Sequence, residues 1–448
     1  MHLLATRPGG YASGDGVVDL GQTPADVVIL SAADTDLALL AEACERADAS
    51  LPSLRLASLL ALRSNASVDL YFDTVLERAR VVVVAMMGGL SYWPYGVERL
   101  VEHARDSQLE LVLVPGDDAP DPELARLSTV GSADCQRIWR YLREGGPENA
   151  SNLLQFLAAR FFARGEIPAA PRVVPRVSLY HPRIGLAELS DWQREWRDGA
   201  PVAALIFYRA HLQAGNLAAF DALIAQLTAS GMNPLPISTS SLKDEGCRAA
   251  VEALLQRTAA EIVLNTTGFA ISSFDGLAAS ARAGALGLDR PVLQVIMSGG
   301  NLDDWRESSS GLSPRDLAMS VVLPETDGRI ITRAVSWKGR LRRSERAETD
   351  VVEYRVEPDR AAFVVELAAR WVRLARTPAV ERRIALVLAN YPARDGRIGN
   401  GVGLDTPAST IEILRALAAA GYPVTGVPAD GDALVRALTG QVTNELAA

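Results

Sequence analysis

The feature that most limits how this chain can fold is an alternation of short apolar runs with longer amphipathic stretches. Residues 27–30, 81–87 and 109–114 are short runs dominated by valine, leucine and isoleucine, while residues 34–46 and 97–105 carry helical spacing. Strands that are apolar on both faces belong in a parallel sheet covered by helices on both sides. Residues 1–128 therefore read as an N-terminal, doubly wound α/β domain. Ligands of such sheets sit beyond the carboxyl ends of the strands. Gly88-Gly89 and the turn at 115–118 lie there, although tight turns need glycine and proline in any case.

The rhythm breaks and then resumes. Residues 129–200 read as a helical and proline-rich connector, with helices over 133–143 and 149–163 and a strap bearing Pro168, Pro171 and Pro175. A second α/β domain is expected over 201–345. Its strands are placed at 202–208, 233–237, 261–264 and 291–296, and its helices at 217–229, 247–258, 277–285 and 302–307. Residues 346–380 read as a charged loop and helix connector, and the charge-dense run 338–352 as a solvated loop or exposed strand pair. Residues 381–448 read as the start of a third α/β domain, with strands at 383–388 and 423–427 around a helix at 409–420. One β-α-β-α piece cannot cover both faces of a sheet, so this domain is expected to be cut short and the chain to be the front of a longer one. The fold class is thus α/β and multidomain: several parallel-sheet, Rossmann- or flavodoxin-like units joined by helical segments.

Composition narrows the function classes. With 45 Lys plus Arg against 54 Asp plus Glu, the net charge is −9, and no basic run offers a nucleic-acid footprint. The apolar runs fall well short of the ~20 residues of a membrane span. Leu3-Leu4 is followed at once by Arg7, Pro8 and Gly9, so no signal peptide is expected. Three dispersed cysteines, Cys44, Cys135 and Cys247, suit reduced thiols in a cytoplasm. Four histidines leave little for a histidine-rich metal site.

Several strand ends carry chemistry. Tyr208-Arg209-Ala210-His211 places Arg209 and His211 where both can bind carboxylates or amides, or where they simply cap a turn. Asn265-Thr266-Thr267-Gly268 offers hydroxyls and free N–H groups to an anion, or an ordinary N-cap. Asn301-Leu302-Asp303-Asp304-Trp305 suits a cation and a flat ring, or a capped helix. Glu325 and Asp327 stand two apart in a turn that can hold a metal or merely face solvent. His181 before Pro182 is a proton donor, a ligand or a half-buried loop histidine. The glycine-rich stretch from Asn390 through Gly399 to Asp405 is long and biased enough to be a binding loop. No G-x-x-x-x-G-K-S/T occurs, so the chain lacks a P-loop.

The order of these pieces resembles a known family. The segments are Gly146-Pro147-Glu148-Asn149, Tyr180-His181-Pro182, Tyr208-Arg209-Ala210-His211 with Gly215, Thr267-Gly268-Phe269, Trp305 with Ser308, Gly311-Leu312-Ser313-Pro314, Leu323 to Gly328 and Asn390 to Pro407. Together they are similar to the N-terminal part of the large chelatase subunits, the family of the CobN subunit of aerobic cobaltochelatase and the H subunit of magnesium chelatase. Ile398-Gly399-Asn400-Gly401-Val402-Gly403-Leu404-Asp405 looks like the cobalt-type loop, and Ser240-Ser241-Leu242-Lys243-Asp244 stands where magnesium-type chains usually carry G-G-L-D.

The resemblance implies a large subunit that binds hydrogenobyrinic acid a,c-diamide and is the place where Co²⁺, the substrate metal, is inserted. It further implies that ATP is hydrolysed by a separate AAA+ motor built from two smaller subunits, with neither nucleic acid nor membrane as partner. The family's catalytic residues are not carried onto this chain. Arg209, His211, Thr267, Gly268, Trp305, Asn390, Gly399 and Asp405 are the expected substrate contacts, with His181, Glu325 and Asp327 as further candidates. The alternatives are a magnesium chelatase H subunit acting on protoporphyrin, or a non-catalytic module that binds tetrapyrrole or docks a partner.

Overall fold

The computed structural model describes residues 17–48, 50–116, 119–271, 286, 289–389, 399, 401 and 403–440. Its contacts divide the chain into two compact units, Met1–Ala368 and Ala369–Ala448.

The first unit holds two sheets. One is wholly parallel and built from β1 (Val27–Ser31), β2 (Leu54–Ser58), β3 (Val81–Met86) and β4 (Glu110–Pro115), in the order β2-β1-β3-β4. Alternation along each strand divides its side chains between two cores. Val27, Ile29, Val81 and Val83 pack with helices Asp34–Arg46, Ser132–Glu144 and Gly146–Phe162, whereas Val28, Leu30, Val82 and Val84 pack with Asn65–Thr74 and Pro94–Asp106. Both faces are buried, which is why these runs show no polar alternation in sequence.

The other sheet contains β5 (Val177–His181), β6 (Gly185–Ala187), β7 (Val202–Tyr208), β8 (Asn233–Thr239), β9 (Ile262–Asn265), β10 (Val292–Ser298), β11 (Ile330–Ser344) and β12 (Thr349–Val356). Their order is β12-β11-β10-β9-β7-β8-β5-β6, with β7 to β11 parallel and antiparallel strands at both margins. Pro234 and Pro236 sit in β8 because β5 pairs only with Ile237–Thr239, so the proline-bearing half of β8 has one neighbour, β7. The α/β multidomain expectation holds.

The charge-dense run over 338–352 is a strand pair, as one of the two expectations had it, and most of its described residues are buried or half-buried. Its turn docks on the first sheet, where Leu56 N donates to Ala347 O at 3.2 Å and Arg55 pairs with Glu348 at 2.8 Å, and its strand reaches helix Asp34–Arg46, where Arg342 pairs with Glu42 at 2.7 Å. Ala347 and Val351 are fully buried there. Long charged side chains let a hairpin cover apolar surface while their heads find partners. The proline strap is likewise tied down. Buried Asn149 donates to Gly145 O and Arg172 O and accepts from Arg172 N.

The second unit, taken by itself, pairs helix Thr406–Ala419 with helix Gly431–Thr439 around Ile411 and Leu434. The strands expected at 383–388 and 423–427 are not formed. An apolar run becomes a strand only where a neighbour offers its backbone, and neither run is paired among the described residues of this unit. Ile384, Leu386 and Val387 are exposed. The helix expected at 277–285 lies outside the described residues.

Candidate functional site

In the second sheet β8 lies on one side of β7 and β9 on the other, so the chain reverses its direction of winding there. A crevice opens beyond the carboxyl ends of two strands at such a point. Tyr208 ends β7 and Asn265 ends β9, which brings Tyr208-Arg209 beside Thr267-Gly268-Phe269.

The floor is a buried polar network. Thr267 O accepts from Asn265 Nδ2 at 3.1 Å, Gln294 Nε2 at 3.0 Å and Arg329 Nη1 at 3.1 Å. Arg329 also donates to Gln294 Oε1 and Asp327 Oδ2, each at 3.0 Å, and Asp327 Oδ2 accepts from Ile271 N at 2.7 Å. The Arg329 and Asp327 side chains are 1% and 5% exposed, so the pair has little water and relies on these bonds. The network fixes the segment 267–271 from below. Gly268 packs closely there, since a Cβ would lie 3.0 Å from Met319 O.

Two clefts share Tyr208 above this floor. The first, about 370 Å³, is lined by Tyr208, Leu242, Lys243, Phe269 and Ile271 among others, with the Lys243 ammonium 5.3 Å from the centre of the Phe269 ring. Tyr208 donates to Gly268 O at 3.1 Å, and burial pushes its hydroxyl up to about 12, so it stays protonated. The second cleft, about 520 Å³, is lined by Arg143, Arg176, Arg209, Gln213 and Ser240 beside Tyr208. Arg209 Nη2 lies 3.0 Å from Glu144 Oε2, and burial lowers the basicity of its guanidinium. Helix Ser132–Glu144 is held against this wall by Gly145, whose φ is +61° and where a Cβ would meet Gln213 O at 2.6 Å. One cleft thus presents an apolar, aromatic wall and the other three guanidinium groups. Such a pair suits a flat organic ring with anionic substituents.

The structure brings some of the expected residues together. Arg209 and Gly268 line the clefts, Thr267 anchors the floor and Asp327 holds Arg329 beneath it. His211 turns away: its ring packs on Phe220 at 4.7 Å and Tyr354 at 5.4 Å, and burial pushes it down to about 3, so it is neutral. Trp305 rests on Trp337 at 4.8 Å with the Arg360 guanidinium 4.9 Å from its ring. His181 accepts from Arg183 N through Nδ1 and meets Glu195 through Nε2 at 3.2 Å, closing the β5–β6 hairpin. Glu325 is exposed on helix Leu323–Thr326. In the second unit Asp405 caps helix Thr406–Ala419 through Ala408 N, and Gly399 N donates to Ala389 O. Asn390 lies outside the described residues. Among the described residues no group of three or more His, Cys, Asp or Glu side chains could hold a metal ion, and no helix is long and apolar enough to cross a membrane.

Arg143, Arg176, Lys243, Gln294 and Arg329 were not anticipated as site residues. Gln294 inside an otherwise apolar strand was the available signal, since a polar side chain there needs a buried partner. The arginines gave none, being scattered over connector, strand edge and turn.

Comparison with known proteins adds four matches. A family model described as CobN/Magnesium Chelatase matches residues 139–448. The aerobic cobaltochelatase subunit CobN of Pseudomonas aeruginosa is 51% identical over 446 residues, covering 100% of this chain and 35% of that protein; CobN of a Sinorhizobium species is 43% identical, covering 99% and 35%. The solved catalytic subunit of cobaltochelatase from Mycobacterium tuberculosis superposes with a TM-score of 0.67 at 29% identity, covering 92% of this chain and 32% of that one. The chain spans about a third of the length of these relatives.

Proposed function

The chain belongs to the CobN/magnesium chelatase family, and from that premise we propose that it is the N-terminal part of the tetrapyrrole-binding large subunit of a cobaltochelatase. In this reading the whole subunit inserts Co²⁺ into hydrogenobyrinic acid a,c-diamide during aerobic cobalamin synthesis, in the cytoplasm. ATP is hydrolysed by an AAA+ motor formed by two smaller subunits, and this chain, which has no P-loop sequence, supplies none of that chemistry.

The observation that carries the reading is the pair of clefts at the β7/β9 crossover. A corrinoid acid presents a broad apolar ring edged with carboxylates and amides. Phe269, Leu242 and Tyr208 offer the ring an apolar wall, while Arg143, Arg176 and Arg209 offer its acids a cationic one. Insertion requires the ring to be held and distorted while its inner N–H groups lose protons and Co²⁺ loses water. The role assigned to the clefts is to hold one edge of the ring, using charge-assisted bonds that fix orientation as well as affinity.

The test is an absorbance titration of the 448-residue chain with hydrogenobyrinic acid a,c-diamide and, in parallel, with protoporphyrin. Saturable binding that prefers the corrinoid supports the reading. A preference for protoporphyrin moves the chain to the magnesium branch, and binding of neither removes the clefts from the substrate site.

A further inference from the structure

The second cleft is lined by arginines, and its best-defined ion pair is the one made by Arg209. Arg143, Arg176 and Arg209 are in its lining, and no carboxylate stands among the described residues of that lining. Two carboxylates stand behind them, and they are held differently. Asp244 lies 2.9 Å from Arg176 but is also fixed as a helix cap by Cys247 N at 2.9 Å. Glu144 is the last residue of its helix. Its Oε2 takes both the Arg209 Nη2 bond at 3.0 Å and a bond from Val174 N at 3.1 Å.

A guanidinium presents its N–H groups as a planar fork, and its best partner is a carboxylate that meets two of them at once. Arg209 is met by one oxygen only, and its Nε has no hydrogen-bond partner among the described residues although it is buried. The side chain is 11% exposed, so water does little to satisfy it. A buried cation left in this state binds a two-oxygen anion more tightly than an exposed arginine does. The backbone around it is fixed: Gly145 is wedged against Gln213, and Gln213 Nε2 donates to Arg143 O at 2.9 Å. Only the Glu144 side chain need move to admit a ligand.

We propose that this cleft is a carboxylate-binding site in which Glu144 is an internal stand-in, displaced from Arg209 when a carboxylate of the ligand arrives. The inference deepens the reading above and rests on it for the identity of the natural ligand, an acid group on the rim of the ring. It gives Glu144 the role of a competitor, which sets the sign of its substitution. Neutralising Glu144 frees Arg209 and tightens carboxylate binding, whereas neutralising Arg209 weakens it. A pair that serves only to brace the helix end would lose binding in both variants.

The experiment is calorimetric titration of the 448-residue chain with tricarballylate, a tricarboxylate, and with its triamide. It uses the wild type, Glu144→Gln and Arg209→Gln, each checked for folding by circular dichroism. The expected result is saturable binding of the tricarboxylate but not of the triamide. Binding is expected to tighten roughly tenfold in Glu144→Gln and weaken at least roughly tenfold in Arg209→Gln, the scale of one charge-assisted bond. Should Arg209→Gln fail to fold, Arg176→Gln takes its place with the same direction expected. Weaker binding in Glu144→Gln, unchanged binding in the arginine variant, or no saturable binding in the wild type and Glu144→Gln would each overturn the proposal. Titrating the same variants with the corrinoid separates the two readings. Tricarboxylate binding without corrinoid binding keeps the anion site and removes the ring. Corrinoid binding that ignores both substitutions keeps the ring and removes the anion site.

Discussion

In the first sheet the strands run β2-β1-β3-β4, and in the second the parallel strands run β8-β7-β9-β10-β11, the same winding order extended by one strand. Each therefore has a crossover at its first strand. Just past the end of β1 stands Asp34, and the chain itself answers it: buried Lys338, from β11, places its ammonium 3.8 Å from the half-buried carboxylate. At the end of β7 stands Arg209, beside two open clefts. Topology fixes where a crevice can form, and side chains from elsewhere decide whether the protein fills it or leaves it to a ligand. The β11–β12 hairpin makes the difference, since it reaches the first sheet and not the clefts of the second.

The comparison can be broken at its strongest points. Arg329→Met should cost about 3–5 kcal/mol, because it strands the Asp327 carboxylate in the floor of the second crevice; urea unfolding measures this, and a loss under about 1 kcal/mol would show that the floor does not depend on the pair. Lys338→Met should cost less, about 2–3 kcal/mol. Its partner Asp34 has its carboxyl raised by burial and opposed only by this one close ammonium, held at 3.8 Å. Adding Asp34→Asn should recover most of that loss, and a double-mutant cycle reads the coupling. Gly145→Ala should cost about 1–3 kcal/mol from its positive φ and the close approach to Gln213 O, read by the same unfolding measurement. His211→Phe gives the smallest effect at neutral pH and bears on the response to acid. The folded imidazole is pushed down to about 3 from an ordinary 6.5, so below pH 6.5 the unfolded chain binds a proton that the folded chain does not. Stability contributed by the neutral ring is complete above pH 6.5 and falls by up to about 1.4 kcal/mol per unit as the pH drops toward 3. Thermal melts of the phenylalanine variant should show that much less acid sensitivity.

Much of the fold was legible because the buried strands are uninterrupted apolar runs. Residues 81–87, read as a strand, contain the six-residue β3, Val81–Met86, with every side chain buried. The failures have one cause. Residues 383–388 look like a strand, but a strand is a relation between neighbours, and a sequence does not display its neighbour. Residues 338–352 look solvated because they are charged, yet the Arg342 guanidinium meets Glu42 and Glu45 some three hundred residues earlier. The site divides similarly. Arg209 and Gly268 were legible because they follow strands, and strand ends line crevices. His211, two residues beyond Arg209, faces the opposite way because Arg209–Ala214 is helical, so neighbouring residues do not share a face. Trp305 was legible as an aromatic after a strand, but its partner Trp337 lies on β11 and claims its ring.

The central claim is that the clefts of the second crevice receive the ligand, and the chain offers a direct probe of it. Lys243 and Lys338 are its lysines. Lys243 is exposed in the wall of the apolar cleft, and Lys338 is buried beside Asp34. Acetylation with an amine-selective reagent, mapped by peptide mass spectrometry, should modify Lys243 and spare Lys338 in the free chain. With saturating hydrogenobyrinic acid a,c-diamide, the account predicts that Lys243 becomes protected. Saturable corrinoid binding that leaves Lys243 reacting at its free rate would contradict it.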